Sequence, residues 1–296
     1  MRSVHGARFG KIMTGALLGL ITLGGAGWSK REVIREQYYW RVSMRPSVLT
    51  TESEMGKSIM PGSVFRDCQI GCPAMIVLPP GEFIMGDQSE RHRVTIAKPF
   101  AVAQFDVTFD EWDRCTAAGA CPQAFDAGWG RGDRPVINIS WNDAKSYVAW
   151  LSRLTGKDYH LLSEAQFEYA AHAGTATGYP WGEKISKGNA NCIGCGSEWD
   201  GKQTATVGSF TPNGFGLLDM HGNVWTWCED SWHNDYEGAP TDGSAWTRVD
   251  KKNRRVVRGG SWTSSAQSLR SAYRGQFGTD DRSNDVGLRV ARTLGS

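Results

Sequence analysis

The sequence has no excess of charge of either sign: 33 Lys and Arg stand against 31 Asp and Glu, a formal net charge of +2. The basic residues are scattered rather than massed on one segment, so the electrostatic footprint of a nucleic-acid binder is missing and no nucleic-acid partner is expected. Long apolar runs are scarce too. The uncharged stretch from Ile12 to Trp28 is 17 residues long, the lower limit for a spanning helix. Near it there is no cysteine in a lipobox position and no preceding Arg-Arg pair. Cysteine is absent after Cys228. Helical periodicity is missing from Gly174 to the C-terminus. That region, rich in Gly, Asn, Asp, Ser and Trp, offers little periodic apolar surface and must be held by disulfides, ions or interlocked loops.

What is present is 36 Gly and 13 Trp, a combination that favours tight turns and close backbone contacts around large rigid rings. A loop-rich α+β fold is expected, one domain plus a leader. Arg2, Arg8 and Lys11 ahead of the apolar run read as an export signal. Residues 1–28 are therefore expected to be a signal peptide or signal anchor, 29–64 a polar linker or stalk, and 65–296 the globular domain. The protein is expected to be periplasmic or extracellular, soluble after cleavage or tethered to the membrane through residues 12–28. Six of the seven cysteines fall in close pairs, Cys68 with Cys72, Cys115 with Cys121 and Cys192 with Cys195. In an oxidising compartment local disulfides are the natural reading, with Cys228 left over.

Ala74 to Asp87 reads as strand, Pro-Pro-Gly turn, strand. Thr108-Phe-Asp-Glu111 and Ser163-Glu-Ala-Gln166 fit the capping box, and Ser140 caps the segment WNDAKSYVAWLSRLTG, which Gly156 ends. Two main helices are expected, near 141–155 and 164–173.

The motifs PPGEFIMGD, RPVINISWNDAKSYVAWLS, HLLSEAQFEYAAHAG, YPWG, PNGFGLLDMHGNVWTWCED, VVRGGSW, LRSAYR and VGLRVAR occur in this order. Together they resemble the formylglycine-generating enzyme family, the sulfatase-modifying factors, over about Phe65 to Arg292. The resemblance implies a variant of the C-type lectin-like fold, a single loop-rich domain with a twisted antiparallel sheet and two packed helices. Name-giving members of the family oxidise a cysteine of exported sulfatases to formylglycine, with oxygen and a copper ion on two thiolates that follow the Arg-Gly-Gly-Ser of RVVRGGSW. Here that segment is WTSSAQSL, without cysteine. Hydroxyls are hard, weakly acidic and poor Cu(I) ligands, so neither copper nor copper-dependent formylglycine generation is expected.

The resemblance implies calcium as a structural ion instead. One loop would use Asn191, the carbonyl of Cys192, Asp200 and the carbonyl of Lys202. The other would use Asp219, the carbonyls of Gly222 and Val224, and Thr226, where the family carries Glu. Hard oxygens suit Ca²⁺, and the Thr removes a charge. A plain Asx turn is the alternative for both loops. The expected binding cleft is Trp225, Ser261, Trp262, Ser264 and Arg274. Two functions remain open: an accessory or maturation factor for another exported protein or a small-molecule substrate, as cysteine-lacking relatives are in siderophore maturation and beside nitrite reductase, or a non-catalytic module binding a peptide, glycan or partner protein. The fold alone does not choose between them.

Overall fold

The computed structural model describes residues 60–87, 90–248 and 252–295. The expected leader and nearly all of the expected stalk lie outside the described residues. Among the described residues, no helix is long and apolar enough to cross a membrane.

Three helices form where the caps announce them. α1 (Phe109–Ala117), α2 (Trp141–Thr155) and α3 (Glu164–His172) each open with a complete capping box, from Thr108 with Glu111, Ser140 with Asp143 and Ser163 with Gln166. In each box the hydroxyl and the third-residue side chain satisfy two otherwise orphaned backbone donors. Gly156, with φ +68°, ends α2 in the left-handed conformation that glycine adopts without a Cβ penalty.

Five strands, β1 (Val64–Phe65), β2 (Met75–Leu78), β5 (Phe100–Ala103), β6 (Tyr159–Leu161) and β11 (Val290–Thr293), make an antiparallel sheet in the order β1-β2-β5-β11-β6. The C-terminal strand thus lies between β5 and β6 and ties the end of the fold to its beginning. The Pro-Pro-Gly segment links β2 to β3 (Gly81–Met85), but β3 pairs with β4 (His92–Ile96), not with β2. The segment after Gly174 has a single short 3-10 turn, Ala266–Leu269, and no α-helix among its described residues. It does hold a second sheet, β10-β7-β8-β9, built from β7 (Trp225–Ser231), β8 (Arg254–Arg258), β9 (Arg274–Gly278) and β10 (Val286–Gly287).

The core is aromatic, as the composition implies. Trp112 stacks on Tyr147 at 5.5 Å, and Trp227 is fully buried against Phe277. Three arginines, Arg258, Arg289 and Arg292, are buried as completely as the leucines. A buried guanidinium needs its charge matched: Arg289 donates to the carbonyls of Ala103, Gln104 and Leu218 and faces Asp106 at 3.2 Å, Arg258 pairs with Glu168, and Arg292 pairs with Asp67 at 3.1 Å. Arg258 and Arg289 are therefore internal ties for backbone carbonyls, and Arg292 is tied to the Asp67 carboxylate. Disulfides close Cys68–Cys72, Cys115–Cys121 and Cys192–Cys195.

Candidate functional site

After β8 the chain turns through Gly259 (φ +91°) and Gly260 (φ +74°). A Cβ on Gly259 would meet the carbonyl oxygen of Met220 at 2.8 Å and the Phe167 ring at 3.1 Å. This turn delivers Ser261, Trp262, Thr263 and Ser264 into a hydroxyl row. Ser261 Oγ lies 3.1 Å from Ser264 Oγ and 2.9 Å from Thr263 Oγ1. Ser264 Oγ also accepts the N–H of Ser261 at 3.0 Å. Ser261 and Thr263 both donate to Asp285 Oδ2, at 3.1 and 2.9 Å. Ser261 is buried, while Trp262, Ser264 and Asp285 are half-buried and Thr263 is exposed.

Of the five expected cleft residues the structure brings together Ser261, Trp262 and Ser264. Trp262 donates its indole N–H to the carbonyl of Asn284 and stands edge-on to Trp129, centroids 5.2 Å apart. Trp225 is a core residue, 9% exposed, with its ring pressed against Gly275. Its place in the second sheet, buried on both faces, takes it out of an open cleft. Arg274 is engaged elsewhere: it forms a two-pronged pair with Glu164 at 2.6 and 2.9 Å and lies between the rings of Trp232 and Tyr236. Bidentate carboxylate pairing and two aromatic faces use up most of a guanidinium's binding capacity.

Cys228 is the free cysteine among the described residues, and it is fully buried. Burial, helped by the nearby Asp230 and Glu164 carboxylates, pushes its thiol well above the usual range. A buried, protonated thiol is neither a nucleophile nor a metal ligand. His221 is also buried; its Nδ1 lies 2.7 Å from the carbonyl of Leu269, and burial pushes its pKa down to about 4, so the ring is neutral. It lines a shallow recess together with Trp181, Asn213 and Asp219.

In the loop from Asn191 to Lys202, Asp200 accepts the N–H groups of Gly194 and Gly196 at 2.8 and 2.7 Å. Asn191 Oδ1 accepts from Ser197 Oγ, and the carbonyl of Cys192 accepts the N–H of Cys195. The backbone N–H of Lys202 bonds the carbonyl of Trp199. The donor set is hard oxygen throughout, as Ca²⁺ requires, with Asx-type bonds on the same atoms. In the second loop Asp219 Oδ2 accepts the N–H of Gly208 at 2.6 Å, and Thr226 Oγ1 donates to Asp106 at 3.1 Å. Gly222 donates its N–H to the carbonyl of Gly259, and Val224 is buried. The two loops are joined, since Asn191 pairs with Gly222 in an isolated parallel bridge and its carbonyl accepts the N–H of Asn223. Among the described residues no group of three or more His, Cys, Asp or Glu side chains is gathered for a metal.

Sequence reasoning missed Asp285, Thr263 and Trp129. Asp285 immediately precedes the final motif VGLRVAR, where it reads as an ordinary turn acid. Only the fold brings it 24 residues back to Ser261.

The sulfatase-modifying factor enzyme 1-like domain matches residues 61–294. The chain is 35% identical over 151 residues to a formylglycine-generating enzyme of Thermomonospora curvata, covering 45% of this chain and 46% of that protein. It is 30% identical over 294 residues to the inactive C-alpha-formylglycine-generating enzyme 2 of Mus musculus, covering 75% and 87%. The solved structure of PvdO from Pseudomonas aeruginosa superposes with a TM-score of 0.73 and 38% identity, covering 80% of this chain and all of that one. Several other curated relatives are longer, and the match spans between 25% and 54% of their length.

Proposed function

From the premise that the chain belongs to the sulfatase-modifying factor enzyme 1-like domain family, we propose that it is an exported accessory or maturation factor whose cleft holds a partner protein or small-molecule substrate without copper chemistry. The observation that carries this reading is the hydroxyl row Ser261, Thr263 and Ser264 on Asp285, in the segment where the resemblance puts the family's copper thiolates. Hydroxyls are hard donors and poor ligands for a soft ion. The buried, protonated Cys228 offers no substitute thiolate. Calcium takes a structural place in the reading: Asn191, Asp200 and the carbonyls of Cys192 and Lys202 would hold it, stiffening the loop that supports Ser264 through the hydrogen bond from the N–H of Ile193 to the Ser264 carbonyl at 2.9 Å. The loop at Asp219 and Thr226 is the weaker site, because Thr226 offers a neutral oxygen where the family carries Glu, and a hard cation loses a charged ligand there.

The test is a comparison, by mass spectrometry, of exported proteins and metabolites from cells with and without this protein. A maturation factor leaves at least one species with an altered mass that reverts when the protein is restored. If no species changes mass while a partner copurifies with the protein, the domain is a binding module and the maturation reading is wrong.

A further inference from the structure

The Asp285 carboxylate is served by hydroxyls. Ser261 and Thr263 donate to Oδ2, and Ser283 donates to Oδ1. Hydroxyls orient a carboxylate but leave its charge in place. The cations of the surrounding elements are committed to other acids: Arg282 to Asp143 at 2.7 Å, Arg131 to Asp113, and Arg270 to Asp87. Among the described residues Asp285 has no cationic partner, and it is half-buried, so water screens it only in part.

The rings beside it make an independent observation. The indole of Trp262 is pinned by its bond to Asn284, the residue before Asp285, and Trp129 stands perpendicular to it. Elsewhere in the chain aromatic faces are capped by the protein's own cations: Trp141 by Arg255 at 3.9 Å, and Trp232 and Tyr236 by Arg274 at 4.6 and 4.3 Å. Trp129 and Trp262 carry no such cap among the described residues, and both are half-buried, not enclosed. Phe125, 69% exposed, is joined to the same place, because Asn138 bonds the Phe125 carbonyl through its side chain and the Ser283 carbonyl through its backbone.

We propose that Asp285, Trp262 and Trp129 form a subsite for a cationic group, an ammonium or guanidinium, carried by the ligand of the cleft. The carboxylate supplies the counter-charge, the indole faces supply cation–π attraction, and Phe125 offers apolar surface to an aliphatic stem. The proposal rests on reading this cleft as a binding site, and names the chemistry it selects.

Calorimetry and tryptophan fluorescence on the full chain test it with three probes: the peptide acetyl-Gly-Lys-Gly-amide, the same peptide with norleucine for lysine, and cadaverine. The lysine peptide is expected to bind saturably, with the neutral norleucine peptide at least about tenfold weaker. Asp285→Asn, which keeps an oxygen for the hydroxyls, should weaken the lysine peptide by a similar factor. Cadaverine binding as tightly as the peptide identifies a free amine as the source of the charge, and weaker binding identifies a basic side chain. Equal affinity for the lysine and norleucine peptides, no saturable binding of either cation, or an Asp285→Asn variant that binds like the parent overturns the proposal. Should Asp285→Asn lose its cooperative melt, Trp129→Leu carries the test: about a 3- to 30-fold loss of lysine-peptide affinity is expected, and unchanged affinity overturns the proposal. None of these failures touches the altered-mass comparison, so the subsite and the maturation reading stand or fall separately.

Discussion

Glu111 shows how a single side chain carries both a local and a pH-dependent role. Its carboxylate accepts the N–H of Thr108 at 3.0 Å to complete the capping box of α1. Burial pushes its pKa up to about 7 despite that bond and the nearby Arg66. The folded chain therefore keeps a proton on Glu111 between the ordinary glutamate range and neutrality, where the unfolded chain has released it. The stability tied to this proton is fully present below about pH 4.5 and is lost as pH rises through about 7. Glu111→Gln keeps the box, since Gln serves at that position as Gln166 does in α3, and removes the titration. Its Tm relative to the parent is expected to rise by several degrees between pH 5 and pH 8; a constant difference across that range would contradict the assignment. Arg274 teaches the opposite lesson. Its side-chain type suggested a ligand contact, yet Glu164 and two aromatic rings claim it, and no feature of the sequence gives that partner away across 110 residues.

At the scale of elements, caps were the most legible signals because their hydrogen bonds close within three residues. Both expected boxes form, the Ser140 cap proves to be a third box with Asp143, and α2 spans Trp141–Thr155 as its apolar spacing predicts. The second sheet was not legible. β7, WTWCEDS, is buried at six of its seven positions, so it shows no alternation of apolar and polar residues, and its partners arrive from 24 to 32 residues away in β8 and 61 residues away in β10. The turn after β8 is where an element and the site meet. Gly259→Ala would place a Cβ at positive φ and against the Met220 carbonyl. Left-handed backbone alone costs a non-glycine about 1–2 kcal/mol, and the clash adds to that. The variant should melt several degrees lower and lose ligand affinity in the cleft; an unchanged melt would mean the turn relaxes freely.

For the molecule as a whole, fold class and family follow from the order of the motifs, the disulfides from the close cysteine pairs, and the proposed binding site from what is missing between Ser261 and Arg270. The deeper reason that the site was only partly readable is that Asp285 and Trp129 reach it from distant loops. The proposed calcium belongs to this scale as well, because a bound ion would stabilise the entire folded state by mass action. Chelation with EDTA is expected to lower the Tm by several degrees, with restoration by calcium; Asp200→Asn should abolish that response and Asp219→Asn should leave most of it. A melt indifferent to EDTA would contradict the calcium reading and leave the loop to its Asx bonds and the Cys192–Cys195 disulfide. The central claim, a retained cleft without copper redox chemistry, is tested most directly by incubating the purified protein with Cu(I), oxygen and a cysteine-containing sulfatase peptide, then measuring bound copper and peptide mass. No stoichiometric copper and an unaltered cysteine are predicted. One equivalent of copper, lost on Cys228→Ser, together with conversion of the cysteine to formylglycine, would contradict it.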